Sequence, residues 1–198
     1  MDFKDTFFKT LEWVGHNPLR LVILLVIGVF GMGAWFVYTE KDAFMASYRA
    51  QQALPRMNGK YEEAVGFVLK EGNADMVAIF EVNPLLNTRK LVYLVMKDTG
   101  RVKSYDGTEV GLFTKDLDNN RDVIALMSGQ MPCSDYKKPQ SYMGFVYVRA
   151  GITHMCRVSV PPDPSKFIGQ ISVGWKIKPE DDDAMRTVIR VGSSMLWQ

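Results

Sequence analysis

Few residues in this chain have both the type and the spacing that chemistry requires. Ser134 and Lys137 form an S-x-x-K, the arrangement of a serine nucleophile with a lysine base. The companion motifs of that chemistry are missing, and Lys137-Lys138-Pro139 is a solvated loop composition in which a lysine is hard to deprotonate. Asp181, Asp182 and Asp183 offer adjacent carboxylates without the interleaved glycine and distal glutamate of a calcium loop. They read instead as a helix start, where negative charge is favoured. His16 and His154 stand far apart with no C-x-x-C beside either, so no metal site is expected. No phosphate-binding loop, nucleophile elbow or H-E-x-x-H helix occurs. The chain reads as a protein that is not an enzyme and needs no cofactor.

The two cysteines, Cys133 and Cys156, are too few for a disulfide-dense miniprotein or a four-cysteine zinc site. If they pair, their part of the chain lies in an oxidising compartment such as the periplasm; otherwise they are two unrelated small core residues. Lys plus Arg number 24 and Asp plus Glu 22, a net charge of +2 that gives no reason to expect nucleic acid as the main partner. With 47% apolar and 12% aromatic residues, wholesale disorder is excluded.

The elements that would position such residues begin with a membrane anchor. Leu21 to Tyr38 runs eighteen residues without a charge. As a helix it is about 27 Å long, close to a hydrocarbon core of roughly 30 Å. Arg20 borders one end, and Trp35, Tyr38, Glu40 and Lys41 the other. The preceding residues mix Asp2, Asp5 and Glu12 with Lys4, Lys9 and Arg20, unlike the short basic start of a cleavable signal, so an uncleaved anchor is expected. Gly28, Gly31, Gly33 and Ala34 permit close contact with a second helix, the expected site of self-association. Ahead of the anchor, Phe3, Phe7, Leu11 and Val14 fall on one helical face, as in an amphipathic helix at a lipid interface. Charge does not orient the anchor: Lys4, Lys9 and Arg20 on one side balance Lys41, Arg49 and Arg56 on the other. The cysteines favour a cytoplasmic N-terminus and an external C-terminal part.

The division expected is therefore 1–18 amphipathic N-terminus, 19–39 transmembrane helix, 40–72 helical stalk, and 73–198 an external α+β domain. In that domain Met76–Val82, Leu91–Met96 and Ile168–Ile177 read as strands, and Asp116–Ser128 and Pro179–Trp197 as helices. Phe145–Val148 and Ile152–Val158, flanking Ala150-Gly151, read as a β-hairpin. The fold class is α+β: one N-terminal transmembrane helix, then a globular domain with an antiparallel sheet packed against helices.

Two stretches resemble the holins of T-even-type phages. One is Ala74 to Pro84 with Asn87 after it; the other is Gly169 to Trp175, followed by an Asp-rich turn and by Arg186, Ile189 and Leu196. In that family a cysteine near Cys156 pairs with one on the last helix, which here has none. The resemblance implies a phage holin that oligomerises in the host inner membrane, with its C-terminal domain in the periplasm. Its lesions release endolysin for host cell lysis, and an antiholin bound to the periplasmic domain gives lysis inhibition. Membrane lipid, a second copy and that antiholin are the partners implied. The alternative is a bitopic scaffold of a secretion or conjugation complex. A membrane-anchored sensor of a small ligand comes last, because about twenty residues before the anchor are too short for an output module.

Overall fold

The structure, a computed structural model, describes residues 5, 9, 12, 18–53, 56–164 and 166–197, with backbone alone at 18, 43, 44 and 46–53. Phe3, Phe7, Leu11, Val14 and His16 lie outside the described residues. The chain divides into two compact units, Met1–Leu54 and Pro55–Gln198.

The first unit contains helix α1, Pro18–Ala53. Within it Leu19–Asp42, 24 residues of mean hydropathy 2.4, has no buried residue. A core helix would bury a stripe; here Phe30, Met32 and Trp35 are all about 70% exposed, on different sides. At 1.5 Å per residue the segment spans about 36 Å, so it is long and apolar enough to cross a membrane. Thr39 turns its hydroxyl back to the carbonyls of Trp35 and Phe36, each 3.0 Å away, and so presents no unsatisfied donor. Gly28, Gly31 and Gly33 have open space where a Cβ would stand. At 100° per residue Gly28, Gly31 and Ala34 follow one ridge of α1, whereas Gly33 faces nearly opposite.

The second unit is built on seven strands: β1 Met76–Asn83, β2 Thr88–Met96, β3 Gly100–Arg101, β4 Glu109–Gly111, β5 Cys133–Asp135, β6 His154–Val160 and β7 Gly169–Trp175. All pair antiparallel in the order β3-β2-β1-β7-β6-β5, with β4 also on β2. The first strand thus pairs with the last, and sequence-distant segments meet in mid-sheet. In β6 and β7 every residue is buried, the mark of strands covered on both faces.

One face carries Val77, Ile79, Val158, Ile171, Val173 and Trp175, covered by α2 (Tyr61–Glu71) and α5 (Asp182–Ser194). Trp175 donates its indole N–H to the Gly72 carbonyl at 3.0 Å, joining sheet to helix end. Helix α5 starts where its aspartates point, with the Asp181 carboxylate accepting from the amides of Asp183 and Ala184. The opposite face carries Met76, Ala78, Phe80, Leu91, Leu94 and Met155, covered by α4 (Tyr142–Arg149) and flanked by α3 (Leu117–Met127).

One expectation changes. Phe145–Val148 is not a strand but the body of α4. Ser141 caps it from Gly144 N–H, and Ala150-Gly151, read as a hairpin turn, closes it. Gly151 has φ 81, and the Ile152 and Gly151 amides donate back to the Tyr147 and Val148 carbonyls, a Schellman ending that any side chain at 151 would strain. Packing of Met143 and Tyr147 overrides the β propensity of the run. The buried face of α3 is Asn119, Val123 and Leu126, while Ile124 and Met127 are exposed. In β7 apolar residues alternate with small and polar ones, and that second side, Ser172 and Gly174, is buried as well.

Cys133 and Cys156 oppose each other in the β5–β6 register, Cα atoms 4.1 Å apart, and are joined by a disulfide. The bridge ties the edge strand β5 to the sheet. Reducing it should lower unfolding stability by about 2–3 kcal/mol through the entropy of the opened loop. Urea unfolding with and without dithiothreitol checks this: an unchanged midpoint would mean that β5 is held by its backbone ladder alone.

Candidate functional site

The expected chemistry does not assemble. Ser134 is exposed, and the Lys137 side chain, 86% exposed, reaches only to Asp135 at 3.9 Å. Asp181 is spent on its cap. His154 is buried with Nδ1 3.3 Å from Asp135 Oδ1 and its ring against Trp175. Among the described residues no three His, Cys, Asp or Glu groups are placed to hold a metal.

What the structure does assemble is polar, buried and absent from the sequence analysis. On the sheet face beneath α3 and α4, strands β2, β6 and β7 place Arg89, Arg157, Gln170 and Ser172 side by side. Arg89 is 6% and Arg157 5% exposed, unusual for a residue that rarely leaves water unpaired. The Arg89 guanidinium donates to Gln170 Oε1 (2.9 Å), Asn119 Oδ1 (2.6 Å) and the Gly111 carbonyl (3.0 Å), all uncharged. Arg157 pairs with Asp122 of α3, donates to Gln140 Oε1 at 2.9 Å and lies over the Tyr136 ring. Burial, then the neighbouring Arg157, pulls the Arg89 guanidinium down to about 10 from its ordinary value.

These groups wall a small, partly open cavity of about 20 Å³, enough for a water or the end of a comparably small group. Arg89, Asn119, Tyr136, Tyr147, Arg157 and Gln170 are among its lining. Two of its buried polar atoms, Arg89 Nε and the Tyr147 hydroxyl, make no hydrogen bond. Burial pushes the Tyr147 phenol well above its ordinary value, so the hydroxyl keeps its proton. Buried donors are nearly always satisfied, so two orphans on residues of one cavity lining set this cluster apart. A larger groove of about 480 Å³, bordered by Arg101, Lys103, Tyr105 and Arg149, is open to solvent and lined by no such orphan.

No family model matches this chain, and no curated protein matches it. Solved structures do. A far-red cyanobacteriochrome photoreceptor superposes with a TM-score of 0.53 at 9% identity, over 81% of this chain and 95% of that one. The fold alone is shared. Similar, at a TM-score of 0.49 and 12% identity, are the GAF domain of a two-component sensor histidine kinase from Bacillus halodurans (68% of this chain, 92% of that one) and a GAF domain/HD domain protein from Geobacter sulfurreducens (67% and 84%).

The fold shared with that photoreceptor overturns the resemblance to T-even holins and, with it, lesion formation, host lysis and antiholin timing; the secretion scaffold has no support either. The physical reason lies in the two stretches that carried the likeness. They are β1 and β7, paired in the middle of the sheet and covered on both faces. Short apolar runs of that kind recur wherever a central strand is buried, whatever the protein does.

Proposed function

We propose that this chain is a single-pass membrane protein whose GAF-like domain is a binding module, not an enzyme, for a small polar ligand held under α3 and α4. One observation carries the reading: two buried, unsatisfied donors, Arg89 Nε and the Tyr147 hydroxyl, belong to residues that line one small cavity. A chromophore of tetrapyrrole size is disfavoured, since drug-sized ligands occupy several hundred Å³ and this cavity has about 20 Å³. Helix α1 supplies the contact with lipid. The Cys133–Cys156 disulfide supports placing the domain on the oxidising side of that membrane.

Two measurements test this. Full-length protein should stay in the membrane pellet after alkaline carbonate washing, and external protease on intact cells should degrade residues 55–198. Release by carbonate, or protection from protease, would overturn the anchor or its orientation. In detergent micelles, ligand-observed NMR against neutral, cationic and anionic compounds of a few heavy atoms should find a binder that Tyr147→Phe weakens. If no class binds, the cavity is structural and the module reading fails.

A further inference from the structure

The charge around the cavity identifies what would fill it. Its lining contains two arginines and no carboxylate; the nearest acid, Asp122, is already engaged by Arg157. Arg89 therefore sits more than nine-tenths buried among uncharged partners, a cation without a counter-ion in a medium that screens poorly. Each of the side-chain acceptors Gln170 Oε1, Asn119 Oδ1, Gln140 Oε1 and Ser141 Oγ already takes one bond, from Arg89, Arg89, Arg157 and the Gly144 amide respectively. The lining's side-chain polar atoms that lack any partner are Arg89 Nε and the Tyr147 hydroxyl, both able to donate. A water there would accept from Arg89 Nε–H and Tyr147 O–H but would leave the buried Arg89 charge unopposed. An acceptor with negative charge meets both needs.

Resting on the reading of this cavity as a ligand site, we propose that it takes a compact monovalent anion, a halide or the carboxylate end of a very small acid. Arg89 Nε–H and the Tyr147 hydroxyl hold it, and Arg157 adds charge from the side. About 20 Å³ excludes sulfate and larger dianions. Because Arg89 and Gln170 lie on β2 and β7 while Asn119 and Tyr147 lie on α3 and α4, such an ion would clamp the helical layer to the sheet.

The test uses the full chain in neutral-detergent micelles, with sodium formate, chloride and bromide as probes at constant ionic strength. Sodium gluconate is the bulky control anion, and formamide the neutral isostere of formate. A saturable rise in thermal midpoint with formate or a halide, absent with gluconate, is expected. Tyr147→Phe should weaken the apparent affinity about tenfold, the effect of losing a hydrogen bond to a charged group. Arg89→Lys, which keeps the charge but loses Nε–H, should weaken it as well without abolishing folding. Identical midpoints in all four solutions, or a rise that Tyr147→Phe leaves untouched, would overturn the anion site. A rise with formamide alone would overturn it too, while leaving the polar binding module standing.

Discussion

Asp122→Asn should destabilise the domain by about 4 kcal/mol, the largest effect of any single polar substitution here. The side chains of Asp122 and Arg157 are 15% and 6% exposed, and theirs is the carboxylate–guanidinium pair of this cavity region. Removing the carboxylate leaves two buried arginines, Arg89 and Arg157, facing each other across low-dielectric protein with no negative charge between them. Breaking one side of a buried pair costs about 3–5 kcal/mol because the surviving charge stays buried, whereas replacing both sides with apolar groups is often close to neutral. The double variant Asp122→Leu/Arg157→Met should therefore unfold at a higher urea concentration than Asp122→Asn. If the single variant has a wild-type midpoint, the pair is solvated in solution and the charge argument for the cavity weakens with it.

The same geometry explains why the site was invisible in the chain. Arg89 and Arg157 stand in strands that meet only because β1 pairs with β7 and β7 with β6, a crossover that no local pattern announces. Arg157 stands between Cys156 and Val158 and Arg89 between Thr88 and Lys90, and in a two-layer protein each would face water. The signal available was the second face itself. Gln170 and Ser172 alternate with apolar residues, which fits a half-exposed strand, and the helix that covers them was misread as a strand because Phe145–Val148 is aromatic and β-branched. With α4 taken as a strand, the sheet had one covered face and the cavity had no roof.

Elsewhere local chemistry was enough. Leu21–Tyr38 lies in a helix long and apolar enough to cross a membrane, and α3 and α5 begin at the aspartates whose carboxylates accept their first amides. The pairing partner of each strand, by contrast, is a tertiary fact.

The second large effect lies on the other face of the sheet. Gly192→Leu should cost upwards of about 3 kcal/mol, the range of overpacking in a closed core. A Cβ at 192 would run into Val68 Cγ2 of α2, which is fully buried, with the Ala64 carbonyl behind it at 3.7 Å. Glycine costs a helix interior about 1 kcal/mol relative to alanine, so its presence in mid-helix needs a packing reason, and this close approach of α5 to α2 is one. The pair Gly192→Ala and Val68→Ala makes the argument quantitative. Each alone destabilises, by a clash and by a cavity respectively. Together the new methyl occupies space the lost ones vacated and α5 gains helix propensity, so the double variant should be more stable than the sum of the two losses allows. Strict additivity of the urea-derived values would show that the two helices are not in contact at this point, and that α5 covers the sheet without touching α2.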